Sequence, residues 1–275
     1  MSSSNILLLR APDSPDRYES TFSSAGYYAT SVPVLETVFT GVDALVDILK
    51  DGQPFSGVII TSGRGCDAWK NAVALLEASS TQERAWRTTP FYVVGQSSAS
   101  RLNEIHSSYP DSPYAPQDIR GESTGTSEQL ANFILADLSP PPSRPLLYLT
   151  GDKNRDTLPE ILRAGGLALL PIQVYETQGS STFSRDLKVA LETNQNSSPW
   201  WIVFFAPSAA KFVLPFLQEH FDMATQPRGS LRTARVAAIG PTTSKFLEQE
   251  LHVSVDAVSA KPTPANLLDA ILMSA

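Results

Sequence analysis

Five short stretches place glycine, hydroxyl or cationic residues directly after an apolar run: IITSGR (59–64), YVVGQSS (92–98), LYLTGDKNR (147–155), FFAPSAA (204–210) and AAIGPTT (237–243). The last is the plainest. Val236 to Ile239 reads as a short buried strand, Gly240 and Pro241 break it, and Thr242 and Thr243 lead into an apolar-periodic run. Backbone N–H groups and hydroxyls at such a strand-to-helix turn suit an anion. In TSGRG, Thr61 and Ser62 can cap a helix while Arg64 forks onto a carboxylate; a plain cap beside a solvated arginine is the alternative. Gly151 permits close backbone approach, and Lys153 and Arg155 place cations beside a strand end or form a surface charge cluster. Ser98, with Gln96 and Ser97, and Ser208 each read as an N-cap when taken singly. Tyr175, in VYET (174–177), lies in an extended run where a tyrosine commonly packs.

What is missing narrows the chemistry. The sequence holds no GxGxxG, Walker A, GxSxG, CxxC or HExxH pattern. Its three histidines, His106, His220 and His252, are too scattered for a metal site. Cys66 lies at an expected helix start, where a thiolate is favoured, but no histidine partners it, and it reads as a buried helical cysteine. An enzyme built on this chain works without a metal or redox cofactor.

The elements that must position these residues alternate along the chain. Strands are expected at 5–9, 28–34, 57–62, 91–95, 145–151, 167–177, 200–208 and 236–239. Helices are expected at 16–26, 41–50, 65–79, 96–108 and 126–138, and after residue 241. Strands alternating with helices imply parallel sheets in an α/β fold. Runs such as VIIT and WIVFF are apolar throughout, as when both sheet faces are covered. The stretches 107–118 and 138–145 are Pro-rich and 192–199 is polar; all read as loops. In open parallel sheets ligands bind at the carboxyl ends of the strands, so the five turns could line one cleft.

The bulk numbers bound the class. The 275 residues suggest two domains. A net charge of −7 argues against a general binder of nucleic acid or anionic membrane. One cysteine excludes an internal disulfide framework and fits a reducing compartment. Only four apolar residues in a row, Ile6 to Leu9, precede Arg10, too few for a signal peptide, and no run approaches the length of a membrane span. A cytoplasmic protein is expected.

Taken together, the turns have a family likeness. The segments VAAIGPTTSKFLEQELHVSVDAVSAKPTPANLLDAI (236–271) and LLYLTGDKNRDTLPEILRAGGLALLPIQVYET (146–177) resemble the C-terminal and middle signatures of the uroporphyrinogen-III synthase family. VIITSGRGCDAW (58–69) and FYVVGQSSASRL (91–102) resemble two further family segments, in order. The chain departs from the family pattern at Ala206, where serine is usual, at Ser208-Ala209-Ala210, where a glycine is common, and at Gly65, where alanine is usual.

The resemblance implies two doubly wound parallel-sheet α/β domains joined by two extended crossing segments, with the active-site cleft between them. It implies a lyase that closes hydroxymethylbilane, a linear tetrapyrrole with eight carboxylates, to uroporphyrinogen III. Water is lost and ring D is inverted, without a cofactor and without a protein or nucleic-acid partner, by a monomer. Tyr175 stands at the family's acid position. Arg10, Arg64, Arg155 and Arg235 supply cations, joined by Thr61, Ser62, Ser98, Gly151, Ser208, Thr242 and Thr243. A non-catalytic tetrapyrrole- or anionic-metabolite-binding module of the same fold is the alternative reading. One discontinuous domain, 1–35 with 176–275, and one inserted domain, 36–175, are expected, because the first 35 residues supply two strands, too few for an independent sheet.

Overall fold

The computed structural model describes residues 4–52, 54–77, 86–193, 199–223 and 231–274. Most of the polar stretch at 192–199 lies outside them. Contacts divide the chain into two units, one made of residues up to Glu36 and from Gln178 onward, the other Thr37–Thr177.

The chain opens with β1 (Asn5–Leu9), α1 (Arg17–Ser24) and β2 (Tyr28–Ser31), then β3 (Leu35–Val38). The second unit follows with α2 (Val42–Asp51), β4 (Gly57–Ile60), α3 (Gly63–Glu77), β5 (Pro90–Val93), α4 (Gly95–Ser108) and β6 (Asp118–Arg120). It continues through α5 (Ser127–Asp137), β7 (Leu146–Thr150), α6 (Thr157–Ala164) and β8 (Leu169–Gln173). After β9 (Glu176–Gly179) come α7 (Phe183–Thr193), β10 (Trp200–Phe204), α8 (Pro207–Gln218) and β11 (Phe221–Asp222). The chain closes with β12 (Arg232–Ala238), α9 (Pro241–Gln249), β13 (Ala257–Val258) and α10 (Pro264–Ser274).

Each unit carries its own parallel sheet. In the discontinuous unit the order is β11-β12-β10-β1-β2, with β13 also on β12. In the continuous unit it is β6-β5-β4-β7-β8. Because side chains alternate across a strand, each sheet divides its apolar residues between two cores. Val58, Ile60, Phe91, Val93, Leu147 and Leu149 face one core, built with Trp69 and Leu45. Ile59, Tyr92, Leu146 and Tyr148 face the other, with Leu130 and Leu162. The other unit repeats the division, with Leu7, Leu9, Ile202 and Phe204 on one side and Ile6, Leu8, Trp201 and Val203 on the other. Covering both faces explains why these strands are apolar at every position.

One expected strand is two. The run 167–177 divides into β8 and β9, with Val174 and Tyr175 between them. The Val174 N–H still reaches the Thr150 carbonyl at 3.0 Å, but β7 ends there, so the ladder has no further partner. β9 pairs instead with β3, in the two segments where the chain passes between units. The expected strand at 28–34 stops at Ser31, ahead of Pro33, and that at 200–208 stops at Phe204, since Pro207 opens α8. The short strands β3, β6, β11 and β13 were not expected. Among the described residues no helix is long and apolar enough to cross a membrane.

Candidate active site at the carboxyl edges of the two sheets

Strand order selects where each sheet opens. In the continuous unit the chain moves outward from β4 through β5 to β6, then returns to the opposite side of β4 as β7. The loops after β4 and β7 therefore leave the sheet in opposite directions, and a crevice forms at the carboxyl ends of that strand pair. In the discontinuous unit the reversal lies between β1 and β10. Of the five turns singled out in the sequence, three follow strands of the continuous unit and two follow strands of the other.

Around the β4–β7 reversal, three segments are laced together. The Tyr175 ring lies so close to Gly151 that a Cβ there would sit 2.4–2.8 Å from ring atoms and the hydroxyl. Any side chain at 151 would force this tyrosine to shift. The Asn154 side chain brackets Gly151, accepting from its N–H at 3.2 Å and donating to its carbonyl at 2.6 Å. Asp152 accepts the Thr177 N–H at 3.2 Å, tying the β7 loop to the segment that carries Tyr175. From the first turn of α3, exposed Arg64 donates to the Thr177 hydroxyl at 3.0 Å, and its guanidinium carbon lies 5.8 Å from the Tyr175 ring centroid. Tyr175 is half-buried against the core that contains Trp69.

The hydroxyls of this loop are differently employed. Ser62 accepts the Gly65 N–H at 3.1 Å and so caps α3, as its position suggests. Thr61 lies beside the phenol of Tyr148 and acts on its ionisation. Burial raises the pKa of that phenol against the opposing effect of Thr61, and Tyr175 and Asp156 raise it further. Glycine at 65 has a packing reason. A Cβ there would meet the Ile60 side chain at 2.8 Å.

At the β1–β10 reversal the first loop carries Arg10. Its two terminal nitrogens contact Asp16 at 2.5 Å and Asp13 at 2.7 Å, and its guanidinium carbon lies 5.1 Å from the Tyr18 ring centroid and 5.7 Å from that of Phe205. Beside it, α8 and α9 both begin with proline and have no side-chain cap. Proline has no N–H, so the unclaimed donors of these first turns begin at Ser208 and Thr242. Ser208 and Thr242 are exposed; Thr243 is buried and turns inward. Ala206 occupies the N-cap of α8 in extended conformation and carries no side-chain oxygen, which explains why the cap hydrogen bond is missing.

The remaining candidates lie elsewhere. Ser98 is buried in α4, its carbonyl 3.8 Å from the Cys66 sulfur. Arg155 is exposed ahead of α6. Arg235 sits mid-strand in β12, 5.5 Å from the Trp201 ring centroid, and donates to the Ser274 carbonyl near the end of α10. It is thus remote along the strand from the Gly240 turn. The Cys66 thiol is pushed up to about 12, chiefly by burial and then by Asp67, so no thiolate forms there at neutral pH. Among the described residues no three His, Cys, Asp or Glu side chains gather as a metal site. Sequence reasoning missed Asp13, Asp16, Asn154 and Thr177. The acids three and six residues after Arg10 were a legible signal for the first two.

The family model described as uroporphyrinogen-III synthase HemD matches residues 16–269. The chain is 31% identical to uroporphyrinogen-III synthase of Saccharomyces cerevisiae, over 97% of this chain and 94% of that one. It is 26% identical to the protein of the same name from Schizosaccharomyces pombe, over 97% and 95%. It is also similar to the crystal structure of uroporphyrinogen-III synthetase from Helicobacter pylori 26695, with a TM-score of 0.49 at 18% identity, covering 98% of this chain and 99% of that one. With a family match across nearly its whole length and a relative this similar end to end, the chain belongs to the uroporphyrinogen-III synthase family.

Proposed function

We propose that the chain closes hydroxymethylbilane to uroporphyrinogen III, with Tyr175 as the acid that helps the hydroxyl group depart. The carbon–oxygen bond of the hydroxymethyl group breaks with the push of its electron-rich pyrrole. The oxygen takes a proton and leaves as water. The resulting electrophilic carbon joins the substituted carbon of ring D, giving a spiro intermediate whose rearrangement inverts that ring; loss of a pyrrole proton restores aromaticity. Such a departure needs only a weak acid within hydrogen-bond reach, which a phenol supplies.

The observation that carries this reading is the seating of Tyr175 on Gly151 at the β4–β7 reversal, with the Arg64 guanidinium beside the ring. Arg64 meets a neutral hydroxyl and a ring there, so its charge remains available to a substrate carboxylate. An exposed helix N-terminus contributes only about 0.3–1 kcal/mol toward an anion. Several such donors must therefore act together on a polyanion. An acidic chain can hold a polyanion in this way, because local dipoles rather than net charge meet it. A second reading, in which Tyr175 braces the segment, is favoured by its packing against the core around Trp69.

Incubation with freshly prepared hydroxymethylbilane, followed by separation of isomers, tests the reaction. The III isomer is expected. Isomer I alone, which forms without catalysis, would leave a binding module of the same fold.

A further inference from the structure

We infer that Asp13 is an internal stand-in for a substrate carboxylate, occupying one nitrogen of Arg10 until the ligand displaces it. The inference rests on the anion-binding role proposed above and identifies how the discontinuous unit presents its cation.

Asp16 and Asp13 hold Arg10 in unlike ways. The Asp16 carboxylate is saturated. One oxygen accepts the N–H groups of Tyr18 at 2.9 Å and Glu19 at 3.0 Å. The other accepts the Asp13 N–H at 2.8 Å and Arg10 Nη1 at 2.5 Å. Its side chain is 5% exposed, and losing Arg10 would leave a buried charge unpaired. The Tyr18 and Phe205 rings, packed edge to face against each other, both lie beside the guanidinium and limit its movement. Asp16 is therefore a positioning residue that sets Arg10 in place.

Asp13 makes a single contact, to Arg10 Nη2 at 2.7 Å, and its side chain is 63% exposed. Its backbone is anchored independently, through its N–H on Asp16, so its carboxylate can rotate away without moving the loop. An exposed pair of this kind adds little, and water readily takes over the released carboxylate. What remains is a rigid guanidinium with one free N–H edge at the β1–β10 reversal, the place where an α/β sheet receives its ligand. Asp16 already balances the charge of Arg10, so a substrate carboxylate on Nη2 takes over the hydrogen-bonded edge that Asp13 fills in its absence.

The test is Asp13→Asn, read as KM for hydroxymethylbilane and, independently of turnover, as the Kd for uroporphyrin III by fluorescence titration. Removing the competitor should lower both by about two- to five-fold, the range of an exposed ion pair. Asp269→Asn, an equal charge change at an exposed position on α10, is the control and should leave both unchanged. In an Arg10→Gln background Asp13→Asn should have no further effect. Unchanged or raised KM and Kd in Asp13→Asn overturn the inference, as does an equal fall in Asp269→Asn, which would show only bulk charge. If Arg10→Gln fails to fold, the two Asn variants still decide. A wild-type protein that binds uroporphyrin III but yields no III isomer would sink the proposed reaction and leave the stand-in to be judged by Kd.

Discussion

The two sheet reversals solve opposite problems. At β4–β7 the polar groups are joined chiefly to neutral partners: Arg64 to a hydroxyl and a ring, Gly151 to an asparagine, Tyr175 to a glycine face. At β1–β10 the cation is matched by two carboxylates, and the donors left over are the capless first turns of α8 and α9. One edge offers a weak acid and an open positive charge. The other offers backbone dipoles and a charge kept in reserve. The largely neutral partners around Tyr175 suit the acid role proposed for it, since a phenol crowded by carboxylates would be a poorer acid.

The largest effect should come from removing the proposed acid. Tyr175→Phe keeps the ring that fills the space above Gly151 and is expected to lower turnover by about 10²–10⁴-fold, the usual worth of general acid catalysis. The ratio of isomer III to isomer I is the readout, with thermal melting to show an intact fold. Near-wild-type formation of isomer III would end the acid role and favour the bracing one.

Next come the two ways of meeting an anion. Arg64→Ala should lower kcat/KM by roughly tenfold or more, because hydrogen bonds to a charged group are worth about 1.5–3 kcal/mol. Thr242→Ala, on the other unit, should cost at most about tenfold, since a neutral hydrogen bond contributes about 0.5–1.5 kcal/mol. Complete inactivation by Thr242→Ala with the fold intact would show that capture is concentrated rather than shared.

A smaller difference should appear in acid. Burial opposes ionisation of Asp16, but the N–H groups of Glu19 and Asp13 and the Arg10 guanidinium outweigh it and hold its carboxyl below the ordinary range. Asp137 in the other unit is likewise held low, with burial outweighed by the Tyr92 hydroxyl and Arg120. Unfolded carboxylates take up protons near pH 4. The unfolded state therefore binds more protons there, so this stability is complete above about pH 4 and is lost as pH falls through the lower folded values. Urea midpoints from about pH 6 to about pH 3 should fall for the wild type and fall less steeply for Asp16→Asn. The smallest effect is a gain. Ala206→Ser, at an extended N-cap position, should stabilise by roughly 0.5–1 kcal/mol, seen as a raised melting temperature.

Much of the fold was legible because apolar periodicity reports burial directly. NILLL became β1 and GVIITS ended as β4, with α3 starting at the turn that TSGRG announced. What escaped were the two- to four-residue strands β3, β6, β11 and β13, too short to show a period and held by neighbours distant in sequence. The site was legible as a set of turns but not as a geometry. VYET reads as a strand because Val174 is apolar and buried, yet only the end of β7 decides that the ladder stops there. Arg10 and Arg235 look alike in sequence. Strand register separates them, placing the first past the end of β1 and the second opposite Trp201. Ser98 and Thr243 look like exposed hydroxyls, but helix phase turns both inward.

The pairing of β1 with β10, Asn5 opposite Trp200, also sets an order of events during synthesis. β1 is made first and can join β2 at once through α1, since those contacts are local. Its other edge must wait until roughly 200 more residues have been translated, on the order of 10–40 seconds at about 5–20 residues per second. The intervening unit, Thr37–Thr177, is continuous and has all five strands of its sheet well before then. It can finish folding while NILLL still presents an open edge and an apolar face to the surroundings, the kind of segment that pairs wrongly or recruits a chaperone. During this interval the surface open to misfolding is that of β1.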